Sequence, residues 1–130
     1  MSKLPFTKEQ VVAAFARHPE IKPIRCLHRV TTTNKDSAPT INACCGVSIL
    51  VIDAGHSNVV AAINSDTTNV LNSYLEAMGW DHALIDDLEN FVMGFDSGYP
   101  PTDYTQKFDQ ESYAVGRDVS NFFFPHVQQP

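Results

Sequence analysis

The segment Cys26-Leu27-His28 places a thiol and an imidazole two residues apart. In an extended chain both face one side and could share a zinc ion. No Cys-x-x-Cys or His-x-x-x-His pair stands elsewhere to complete a tetrahedral site. The adjacent Cys44 and Cys45 cannot both ligate easily from a regular element. A second metal candidate lies in the stretch MGFDSGYPPTDYTQKFD, residues 93–109, where Asp96, Asp103 and Asp109 offer hard oxygens. An EF-hand needs oxygen ligands at alternate positions, a central glycine and a closing Glu, and this spacing fails that pattern. No metal and no cofactor are expected.

Nucleophilic chemistry has little to work with. Ser48 sits in GVSIL, inside an apolar run rather than in a Gly-x-Ser-x-Gly turn. Gly46 and Gly55 stand alone, so neither a phosphate loop nor a dinucleotide fingerprint is present. Cys44 and Cys45 read as buried free thiols packing as small apolar side chains. Three cysteines are an odd count, which argues against a disulfide framework. The expectation is a protein that is not an enzyme; the competing class is a small enzyme or ligand-binding protein using Cys44 or Cys45.

Charge is distributed unevenly. Residues 1–65 carry seven basic side chains against four acids, net +3, and residues 66–130 carry two against eleven, net −9. Such a molecule is an electrostatic dipole unless the fold interleaves its halves. The seven basic residues are too dispersed for a phosphate-binding patch, and the overall charge of −6 opposes nucleic acid. The acidic half instead suggests a partner protein with a basic surface. Asp86, Asp87 and Glu89 are expected to form a solvated helix face. Asp96, Tyr99, Asp103 and Tyr104 belong to an aromatic, proline-stiffened loop over residues 95–108 that would anchor the contact. These seven residues are the candidate partner-binding set. Two variants share the same charge: an acidic inhibitor filling the nucleic-acid channel of its target, and self-association of basic half with acidic half.

These groups must be positioned by helices. Thr7 and Gln10 form a capping box, and Pro19 stops the helix they open at or before His18. Residues 24–33 are β-leaning and suggest a short strand or hairpin. Residues 41–53 are almost wholly apolar and readable either way; a lone strand needs partners, which tips the reading to helix. Residues 57–65 suggest a short helix or turn. Val70, Leu71, Tyr74, Leu75 and Met78 trace a helix begun by Ser65 or Asp66 and stopped by Gly79. Asp81 caps the next, with Leu84, Ile85, Leu88, Phe91 and Val92 on its apolar stripe and Gly94 as its stop. Asp109 caps the last helix, with Val115, Val119, Phe122 and Phe123 on one face. Gly116 inside it points to another backbone passing close by.

The fold class is therefore mainly α, one compact domain of about five helices over residues 1–130, with α+β as the alternative. No apolar run approaches the ~18 residues of a membrane span. The start MSKLPFTKEQ lacks a secretory apolar core. A cytoplasmic protein is expected.

Overall fold

The first helix obeys its sequence signals closely. In the computed structural model, which describes residues 3–25, 27–32, 40–62, 67–97 and 110–125, α1 spans Lys8–Arg17. The Thr7 hydroxyl accepts from the Gln10 amide at 3.3 Å, and Gln10 Oε1 accepts from the Thr7 amide at 2.8 Å. The helix ends at His18, ahead of Pro19. Val11, Ala14 and Phe15 form its buried stripe.

A small mixed sheet follows. β1 (Lys22–Pro23) pairs in parallel with the centre strand β3 (Thr40–Cys44), and β2 (Arg29–Thr32) pairs with β3 antiparallel, with an irregularity between Val30 and Thr31. The strand expected within 24–33 is β2. The helical reading of residues 41–53 is corrected at its first half. Residues up to Cys44 are strand, because β1 and β2 supply the partners a lone strand would lack. Cys45 is the extended N-cap, and α2 (Gly46–Asp53) begins behind it. Nearly all of α2 is buried, which is why its apolar residues show neither a strand nor a helix period.

Helix α3 (Ser57–Ala61) is a single short turn. Helix α4 (Thr67–Met78) buries Val70, Leu71, Tyr74 and Leu75. It stops at Gly79, whose φ of 68° is the left-handed conformation glycine adopts without strain. Asp81 caps a 3-10 turn (His82–Leu84), its carboxylate accepting from the Ala83 amide at 2.9 Å. That turn leads into α5 (Ile85–Ser97).

Gly94 does not stop α5, and Phe95 belongs to helix and core rather than to a loop. The physical reason is the last helix, α6 (Gln110–Phe123), which lies against α5. A methyl group at Gly94 would meet the backbone of Tyr113, and one at Gly116 the backbone of Phe91. The close approach expected at Gly116 is thus real, and Gly94 is its counterpart. Phe122, expected on the buried face of α6, is 54% exposed; Val119 is fully buried, and Phe123 packs edge-on against Phe15.

The described residues thus form a mainly helical domain of six helices with a three-stranded sheet. One core runs from Phe6 through α2, α4 and α5 to Val119. Among the described residues, no helix is long and apolar enough to cross a membrane.

Candidate functional site

Three groups of residues carry polar chemistry. The first lies where the sheet hands over to α2. The Cys45 thiol is 3.6 Å from His28 Nδ1 and 3.3 Å from Ser48 Oγ, and Ser48 Oγ is 2.7 Å from the Tyr74 hydroxyl. The His28 and Tyr74 rings meet edge to face, with centroids 6.2 Å apart. β2's approach, the α2 N-terminus and α4 each supply a member, so residues 28, 45, 48 and 74 converge only on folding.

Burial decides what this chain of groups can do. It pushes the Cys45 thiol and the Tyr74 phenol up, and the His28 imidazole down. All three are thereby held in their neutral forms. A nucleophilic thiol needs the opposite, a depressed pKa and access. Cys44 is equally buried, its thiol pushed up by desolvation and by neighbouring Cys45. What the arrangement does well is satisfy polar groups inside the core. A Tyr74→Phe substitution leaves the fully buried Ser48 hydroxyl with only the weaker Cys45 thiol as partner and is expected to lower stability by about 1–2 kcal/mol. Urea unfolding followed by far-UV circular dichroism measures it, and an unchanged midpoint would mean that the thiol alone satisfies Ser48.

The second group closes the end of α1 against the end of α2. Arg17 grips Asp53 with two hydrogen bonds, Nε to Oδ1 at 2.9 Å and Nη2 to Oδ2 at 2.6 Å. His18 Nε2 lies 3.0 Å from the same Oδ1, and its Nδ1 is 3.7 Å from Glu20 Oε2. The Arg17 guanidinium, with His18 adding to it, holds the Asp53 carboxyl below the usual range. Beside this cluster is a cleft of about 700 Å³ bounded by α1's end, β3, α2 and α3.

The third group is the acidic one. Helices α4 and α5 contain no Lys or Arg, and α6 contains only Arg117, whose Nε lies 3.6 Å from its neighbour Asp118. Asp86 is exposed in the first turn of α5, and Glu89 is half-buried on the same face three residues on. Burial first, and the Asp86 charge second, push the Glu89 carboxyl above its ordinary value. Asp96 is half-buried in the last turn. Asp87 departs from the solvated face expected of it: it is buried, because α5 turns it inward with Leu88, Asn90 and Phe91. Tyr99, Asp103 and Tyr104 lie outside the described residues, as do Cys26 and Asp109, the expected cap of the last helix. Among the described residues, no group of three His, Cys, Asp or Glu side chains is arranged to hold a metal ion.

Neither the thiol chain nor the His18 cluster announces itself in the sequence. The one local hint of the first is Ser48, a hydroxyl inside an apolar run that must find a partner if buried. Arg17, His18, Glu20 and Asp53 bear no spacing that links positions more than thirty residues apart.

Compared with known protein families, with curated proteins and with solved structures, the chain matches none.

Proposed function

We propose that the protein is a non-enzymatic interaction module that docks a basic surface of a partner protein through its acidic C-terminal helices. The observation that carries this reading is the Asp86–Glu89 pair. Two like charges share one turn of α5, a helix that like α4 carries no lysine or arginine, and one carboxyl is already partly desolvated. Like charges at this spacing destabilise a helix. A lysine or arginine from a partner relieves that repulsion on binding. Asp96 extends the same acidic surface, and Tyr99, Asp103 and Tyr104 are the proposed anchors beyond it. The neutral, buried thiols Cys44 and Cys45 suit a reducing, cytoplasmic setting.

Stability and binding should respond to Glu89 in opposite directions. Because its native pKa is raised, the folded state holds the proton more tightly than the unfolded chain. Stability therefore falls as pH rises from the ordinary glutamate range through the native value. Glu89→Gln should raise stability at neutral pH by a few tenths of a kcal/mol, a small figure because the group is largely solvated. The same variant should weaken partner binding, and Asp86→Lys with Glu89→Lys should abolish it. Affinity capture from the native host, repeated with each variant at low and high salt, supplies the test. Capture of the same partner by the charge-reversed variant, or binding indifferent to salt, would overturn the reading.

A further inference from the structure

We draw no further inference here: the strongest candidate, the surface patch on α6 where the exposed Phe122 ring lies beneath the Lys8 ammonium, is an apolar face for which nothing in the structure shows what covers it.

Discussion

Gly116→Ala is expected to destabilise the protein by about 2–3 kcal/mol, although helix propensity alone predicts a gain of about 1 kcal/mol. Two effects compete at this position. Alanine restricts the unfolded chain and favours the helical backbone of α6. Its methyl group would also meet the Phe91 carbonyl oxygen, and would lie 2.8 Å from the Phe95 amide nitrogen and 2.9 Å from the Phe91 carbonyl carbon. These are backbone atoms of α5 and cannot rotate aside as a side chain can. The overlap must win, and the helices must separate. Gly94→Ala meets the Tyr113 carbonyl and the Arg117 amide in the same way and should cost a similar amount. The two costs should not add, since one displacement of α6 from α5 relieves both overlaps. Urea titrations of both variants and the double variant measure this. A gain in stability in either single variant would show that α5 and α6 do not touch through these glycines.

Phe91→Ala should be costlier still, about 3–5 kcal/mol. The ring is fully buried and sits at the junction of three elements. It meets Phe6 edge-on at 5.0 Å between centroids and stacks with Phe95 at 6.3 Å. Its edge lies against Gly46 at the start of α2, where an added methyl would be 3.0 Å from the ring. Removing it opens a cavity that these rigid neighbours cannot close, and the lost contacts add to the lost burial. Against a typical total of about 5–15 kcal/mol, this is enough to leave the chain marginal. Phe122→Ala is the matched control. Phe122 is 54% exposed and meets Phe123 edge-on, with the Lys8 ammonium 5.7 Å from its ring centroid, so its loss should stay near 0.5 kcal/mol. Comparable losses in the two variants would contradict the core described above.

The acidic face and the cleft differ in how they arise. Charge segregation is a property of composition along the chain: α4, α5 and α6 are all drawn from the acidic half, though folding brings Arg25 to Ser120 and Lys8 to Phe122 on α6. Folding removes Asp87 from that face and crowds Glu89 against Asp86. The cleft is made by contact between distant segments, with His18 and Asp53 joined across α1 and α2.

What the sequence by itself determined are the features governed by neighbours a few residues away. Thr7 and Gln10 cap α1, Pro19 follows its end, Asp81 caps the 3-10 turn and Gly79 takes the left-handed φ that closes α4. Backbone groups orphaned at helix ends are satisfied locally, so their signals are local too. Amphipathic spacing likewise marked α4 and α5. Only the tertiary structure decided that Thr40–Cys44 is a strand, because a strand exists through partners elsewhere in the chain, here β1 and β2. It decided that α5 passes through Gly94, since a glycine reads alike as a stop or as a place for another backbone until that backbone is known. It also joined half-buried His28 to the buried Cys45, Ser48 and Tyr74 in one chain, and set His18 between two carboxylates beside a cleft. Hydrogen bonds between distant segments leave no period or spacing in a sequence; they exist only where the packing brings the groups together.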